Sequence, residues 1–412
     1  MNKKILTAVL AISAIGLSAC GGTGAGSSSA KGSGDTITIG SVHPLSGGLA
    51  GVGGMMNDGA KLAVEDINSA GGIKSMNGAQ LKLSEGDSQG KADIGQSEAQ
   101  RLITGGAVAL VGTYQSDVTQ NVASVAERSK VPFVIDVAVD DKILAQGYKN
   151  TFRLQPDASS MGTSGAKSLV EMGKQSGSAV KTVSYIHIEG AFGSSVFNAF
   201  KTEAEAQGIT VAKEVTYAGT NFSDATTQVT EALSAKPDVI VVTGYYPDNL
   251  LVAKAIGALA PNIKAVMGIA SGAFDDNSFP AAAGAASSKI LSANYHYGAA
   301  NERAADVRKR FQAKYGKSME TASVLSYQAV EVIAAGLERS GSSDPKKLRD
   351  SIAGNSLKDS LLAFDGPIEF DERGQNKNAT VIVMQVLDGK VEQVFPKKFA
   401  TKDLVFPIAA AK

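Results

Sequence analysis

The chain has one cysteine, no tryptophan and three histidines in 412 residues. A single thiol can close neither an internal disulfide nor a thiolate zinc centre, so no such staple holds the fold. His43, His187 and His296 are too far apart in the chain for a short-spaced zinc motif, and each is expected to be structural. An excess of charge of either sign is missing too. The 40 Lys and Arg residues balance 40 Asp and Glu, which leaves neither a footprint for nucleic acid nor a polybasic membrane patch. Cofactor loops and catalytic signatures are equally scarce. Gly51-Val52-Gly53 lacks the third glycine of a dinucleotide fingerprint, no P-loop, HExxH or nucleophile elbow occurs, and Ser28-x-x-Lys31 falls in a low-complexity stretch. The expectation is a non-enzyme that uses no cofactor or metal and has a small-molecule or protein partner.

What is present begins at the N-terminus. Lys3 and Lys4 precede an apolar run over 5–15 that is too short to span a bilayer, and the small residues Gly16, Ser18 and Ala19 follow. This is the pattern of a secretion signal. Leu17-Ser18-Ala19-Cys20 resembles the lipobox of bacterial lipoproteins, which implies cleavage before Cys20 and its acylation. Two or more acyl chains are what stable anchoring needs. The alternative is an ordinary signal peptide ending near Ala19 with a free thiol. Residues 21–34 are almost all Gly, Ser, Ala and Thr and read as a flexible tether. The expected location is the cell envelope, outside the cytoplasm, with Cys20 as the lipid-attachment residue.

A single core stops growing near ~250 to 300 residues, so two domains are expected beyond the tether. From Thr36 short apolar runs alternate with amphipathic stretches, the signature of βαβ units on a parallel sheet. Strands are expected over 36–42, 80–85, 107–111 and 131–137. Helices are expected around 56–67, 94–104 and 116–128, with Gly71-Gly72 stopping the first and Ser116 capping the third. A second series follows Pro156, with helices over 161–172, 192–207, 223–235 and 249–258 and strands over 182–188, 210–216, 239–243 and 265–269. A strand is then expected over 290–293, long helices over 301–315 and 321–339, and final strands over 380–387 and 391–395. The long helices are needed to cover the first lobe, so the chain is expected to return there. The resulting division is 1–19 leader, 20–34 anchor and tether, 35–154 with 294–364 as one doubly wound α/β lobe, and 155–293 with 365–412 as the other. Three crossings would form a hinge, and the cleft between the lobes would be the ligand site.

Ser46-Gly47-Gly48-Leu49-Ala50, Asn57-Asp58-Gly59-Ala60 and Ile67-Asn68-Ser69-Ala70-Gly71-Gly72-Ile73 resemble the opening of the leucine/isoleucine/valine-binding family of type I periplasmic binding proteins. Val111-Gly112 before Ser116, Phe152-Arg153 before Pro156, Phe192-Gly193, Gly244-Tyr245-Tyr246-Pro247 and Phe370-Asp371-Glu372-Arg373-Gly374 continue the resemblance, in order, over about 36–395. It implies a Venus-flytrap receptor, acting as a monomer, that closes over a small polar ligand and delivers it to the permease of an ATP-driven (ABC) importer. A binder of amides, urea or aromatic acids, or a sensor signalling to a membrane partner, would use the same fold.

The resemblance also implies site residues. Ser46 lies in the matched opening, and Ser116 stands where the family's serine takes the ligand carboxylate; the plain alternative for Ser116 is a helix cap. Ala138 and Asp140 match positions laid against the ligand, Asp140 replacing a frequent threonine. Phe192 and Tyr245 match aromatics that cover it, with core packing as the alternative for Phe192. Ala270 stands where amino-acid binders commonly place a glutamate for the ammonium. Either Asp140, Glu189 or Asp136 takes over that role, or the ligand is not a standard α-amino acid. Val52 replaces a large aromatic of the leucine pocket, so leucine specificity is not expected.

Overall fold

Apolar runs buried on both faces become the middle strands of parallel sheets, because crossover helices cover each side. In the computed structural model, which describes residues 35–219 and 222–408, two such sheets form; the expected leader, Cys20, the tether and the chain beyond 408 lie outside the described residues. The first half runs β1 (Thr36–His43), α1 (Ala50–Ser69), β2 (Gln80–Asp87), α2 (Ala92–Thr104), β3 (Ala109–Gly112), α3 (Ser116–Ser129), β4 (Phe133–Ile135), α4 (Lys142–Ala145) and β5 (Thr151–Arg153). These strands pair in parallel in the order β2-β1-β3-β4-β5. Every residue of β3 and β4 is buried, whereas the edge strand β2 is only partly so.

The chain continues through α5 (Ala158–Gln175), β6 (Thr182–Ile188), α6 (Ala191–Ala206), β7 (Thr210–Tyr217), α7 (Thr226–Ser234), β8 (Val239–Gly244), α8 (Tyr246–Leu259), β9 (Ala265–Ser271), α9 (Phe279–Ala283) and β10 (Leu291–Asn294). Then come α10 (Glu302–Tyr315), α11 (Thr321–Ser340), α12 (Pro345–Ala353), the short pair β11 (Ser356–Leu357) and β12 (Ile368–Glu369), and β13 (Ile382–Leu387) with β14 (Lys390–Phe395). The second sheet has seven strands in the order β7-β6-β8-β9-β10-β13-β14, the last two antiparallel. After β10 the chain goes back to the first sheet, where α11 lies along α1 and against β3 and β4.

Two glycines set how closely this layer packs. A Cβ at Gly59 of α1 would stand 2.3 Å from the Ser323 carbonyl oxygen of α11, and one at Gly53 would stand 2.0 Å from that of Pro44. Both sit inside α1, which therefore begins at Ala50 rather than near residue 56. The strand expected over 131–137 is only Phe133–Ile135, because the chain beyond Ile135 leaves the sheet. The 223–235 helix is trimmed to Thr226–Ser234, and α12 and β5 were not expected; one is short and charged, the other three residues long. Among the described residues no helix is long and apolar enough to cross a membrane.

Where the chain first passes from one sheet to the other, Arg153 is 1% exposed. Its Nη1 donates to the carbonyl oxygens of Val139 (2.9 Å) and Asp140 (2.8 Å), and its Nε to Gln375 Oε1 (2.7 Å). Burial lowers its pKa, an effect opposed by the carboxylates of Asp157, Asp141 and Asp140. Beside it, Gln375 Nε2 donates to the Gln155 carbonyl (2.8 Å) and Asn376 Nδ2 to that of Leu154 (2.9 Å). Two stretches of chain more than 200 positions apart are thus joined side by side. Arg153→Met would strand three acceptors at about 1 to 3 kcal/mol each, so we expect a loss of roughly 3 kcal/mol or more in urea unfolding. Arg153→Lys should recover only part of it, since one ammonium cannot reproduce the fork. A Met variant within about 0.5 kcal/mol of wild type would show that the fork does not hold the crossing.

Candidate functional site

In doubly wound sheets ligands bind beyond the carboxyl ends of the strands, where the strand order reverses. The reversal lies between β1 and β3 in the first sheet and between β6 and β8 in the second. One cavity is lined from all four places: by Val52 and Met55 after β1, Tyr114 and Ser116 after β3, Phe192 after β6, and Tyr245 after β8.

Ser116 is the first residue of α3, and its N-cap is Gln115, which makes no side-chain cap bond. The expected cap is therefore not formed. Instead Ser116 Oγ accepts the Asp140 N–H at 3.3 Å, tying α3 to the loop after β4. That loop brings Val137, Ala138 and Val139 to the cavity. Gln155 Nε2 holds the Ala138 carbonyl (2.7 Å) while Arg153 holds the next two. With the hydroxyl and free N–H groups at the start of α3, this wall can meet an oxyanion.

The facing wall is aromatic. Phe192 stacks on Tyr245 with centroids 5.3 Å apart, and Tyr114 comes across from the first sheet to lie 5.3 Å from the same ring. Burial drives the Tyr245 and Tyr114 phenols upward, so both remain neutral donors. Tyr295, just past β10, donates to the Val137 carbonyl at 3.3 Å.

A third side is acidic. Asp275 and Asp276 follow β9, and Glu320 precedes α11; all three line the cavity, and no Lys, Arg or His is among its lining residues. Burial pushes Asp275 up to about 7, against hydrogen bonds from Asn294 and Ser292. Burial, then the neighbouring Glu320 charge, raises Asp276 to about 7. Glu320 Oε2 accepts from Asn277 through its backbone N–H (3.0 Å) and Nδ2 (2.8 Å), a link between the two halves. Next to Glu320, the buried hydroxyls of Thr321 and Ser323 line the cavity with no hydrogen-bond partner.

Of the residues singled out in the sequence, Ser116, Ala138, Phe192, Tyr245, Ala270 and Val52 come together at the cavity. Ser46 does not. It is exposed, and its N–H and Oγ bind Asp87 (3.2 and 2.6 Å), because the turn before α1 folds outward. Asp140 is fully buried but its carboxylate is spent on Ser195 Oγ of α6 (2.8 Å) and Gln120 Nε2 of α3 (2.6 Å), so it faces the opposite half rather than the cavity. Asp136 accepts from His43 Nε2 (2.8 Å) and Ser326 Oγ (2.6 Å) inside the first half, and Glu189 is exposed. None of these three acids is among the residues lining the cavity. His187 bonds Glu214 (3.1 Å), and His296, lowered to about 3 by burial, accepts from Gln393 (2.9 Å). Tyr114, Asp275, Asp276, Tyr295, Glu320, Thr321 and Ser323 were missed. Tyr295 and Asp275 lie a few residues beyond strand ends, where the strand-end rule could have found them.

A family model described as "Periplasmic binding protein" matches residues 36–390. The chain is similar to Leu/Ile/Val-binding protein homolog 8 of Brucella abortus (strain 2308), with 27% identity over 383 residues, 90% of this chain and 93% of that one. Among solved structures it is similar to the leucine binding protein LivK of Thermotoga maritima MSB8, at 25% identity and a TM-score of 0.75 over 87% of this chain and 97% of that one. It also shares its fold with a solute binding protein of R. palustris in complex with benzoate, at 21% identity and a TM-score of 0.77 over 91% and 98% of the two chains.

Because Asp140 joins the halves without reaching the cavity, Asp140→Asn is expected to weaken every ligand of the cleft by the same factor, about fivefold for one hydrogen bond of roughly 1 kcal/mol. Calorimetry with one neutral and one cationic ligand checks this. A far larger loss for the cation would make Asp140 a ligand contact instead.

Proposed function

Since the chain belongs to the periplasmic binding protein family, we propose that it is the substrate-binding lipoprotein of an ABC importer, capturing a small amino acid or related carboxylate by closure of its lobes and passing it to the permease. The lobes we assign are 35–154 with 294–364 and 155–293 with the chain from 365, turning about three crossings. The observation that carries the reading is the cavity held between two strand-reversal edges, with Ser116 and the N-terminus of α3 on one wall and the Phe192–Tyr245–Tyr114 rings on the other. Ser116 would take the ligand carboxylate, the Ala138 backbone would lie along the ligand, and the rings would cover it, displacing water over a large apolar area.

The relatives' names point to branched-chain amino acids, yet this cavity has Ala270 and Val52 where that resemblance implies a glutamate and a large aromatic. The aromatic wall favours a second reading, an aromatic carboxylate. Thermal shift of the purified full chain against amino acids, amides and aromatic acids separates them; a true ligand at ~100 times its Kd adds ~2.7 kcal/mol. Ser116→Ala should abolish that shift for any carboxylate ligand while leaving the ligand-free melting temperature within a few degrees. Carboxylates that bind the variant as well as wild type would refute the carboxylate role.

Anchoring through Cys20 is tested separately. Cys20→Ser is expected to leave the membrane fraction yet still bind its ligand. A variant that stays with the membrane would end the lipobox reading and leave the receptor reading standing.

A further inference from the structure

Two helices point their N-termini at the cleft from opposite faces of the first sheet. The apolar side chains of α3 pack with those of α2 in one cluster, and those of α11 pack with α1 in another. Ser116 opens α3 and Thr321 opens α11, so the two walls flank the cavity from different sides. They differ in chemistry. The α3 side carries a hydroxyl and no acid at the cavity, whereas the α11 side brings Glu320 together with Asp275 and Asp276.

We propose that the α11 side of the cleft is a cation subsite, where Asp275, Asp276 and Glu320 with the hydroxyls of Thr321 and Ser323 receive an ammonium or guanidinium group, so that the ligand is two-ended. The inference rests on the receptor reading above and names its ligand class: an acceptor at Ser116 and a basic nitrogen on the other side.

Several observations converge on it. Three carboxylates face one cavity whose lining holds no compensating cation. Burying such charge unpaired is costly, which is why both aspartates rise to about 7. The hydroxyls of Thr321 and Ser323 are 8% and 0% exposed and lack any partner, although a buried hydroxyl left unpaired costs about 1 to 3 kcal/mol. Hydroxyls and carboxylates alike can accept from a nitrogen with several N–H groups. An anion is disfavoured here, although helix N-termini ordinarily attract one, because three acidic residues already line this side of the cavity. A bare metal ion is disfavoured as well: among the described residues no three His, Cys, Asp or Glu side chains converge as metal ligands. An extended, multi-donor nitrogen group suits acceptors that are spread along a wall.

The test compares matched probes on the purified full chain by calorimetry: 5-aminopentanoate and 5-guanidinopentanoate, each against pentanoate. The amine- or guanidine-bearing member of each pair should bind more tightly by about tenfold or more. Asp276→Asn and Glu320→Gln should each remove most of that advantage while leaving circular dichroism and the ligand-free melting temperature near wild type. Should one variant misfold, the other carries the comparison. If pentanoate binds as tightly as its basic partners, or if both variants keep the preference, the cation subsite is overturned and the receptor reading is untouched. If magnesium or calcium alone binds and competes with the basic probes, a metal site replaces the proposed one. If no carboxylate, basic or otherwise, binds wild type, both the subsite and the receptor reading fail.

Discussion

The Arg153 guanidinium is the interaction on which the cleft depends. Three of its hydrogen bonds go to the Val139 and Asp140 carbonyls and to Gln375, so one buried planar cation fixes the loop after β4 and the point where the halves meet. A charge is expensive to bury, and it is tolerated here because its donors are met by acceptors in fixed positions. The consequence reaches the ligand wall: with its carbonyls held from behind, the loop presents Val137 to Val139 to the cavity and sends the Asp140 N–H to Ser116 Oγ.

The two halves are then joined by polar contacts at and around the cavity. Asp140 meets Ser195, Glu320 meets Asn277, and Tyr295 meets the Val137 carbonyl. Hydrogen bonds of this kind contribute about 1 kcal/mol each. The cavity itself combines an aromatic wall, the hydroxyl and helix N-terminus at Ser116, and an acidic side.

Much of the fold was legible because parallel sheets write themselves in short, doubly buried apolar runs: β3, β6, β8 and β9 lie where Val, Ile and Ala cluster between amphipathic helices. Boundaries slipped where backbone packing overrode local signals. Gly53 falls before the helix expected from about residue 56, yet it is helical, and like Gly59 it lies where another chain segment passes too close for a side chain. The site was partly legible for the same reason as the fold. Ser116, Phe192 and Tyr245 follow strand ends, and strand ends are where such sheets put their sites.

The linear sequence by itself determined the class of fold, the absence of disulfide staples, the balance of charge and the residues at the strand ends, since each depends on composition or on local periodicity. Tertiary structure alone decided which acids line the cavity. Asp136, Asp140 and Glu189 were plausible by proximity in the chain, but the first is engaged by His43, the second reaches across to Ser195 and the third faces outward. Asp275, Asp276, Glu320 and Thr321 arrive at the cavity from segments more than 40 positions apart, when the chain returns to the first sheet. No local pattern encodes that meeting, because the direction of a side chain across a cleft is set by how two distant pieces of backbone pack.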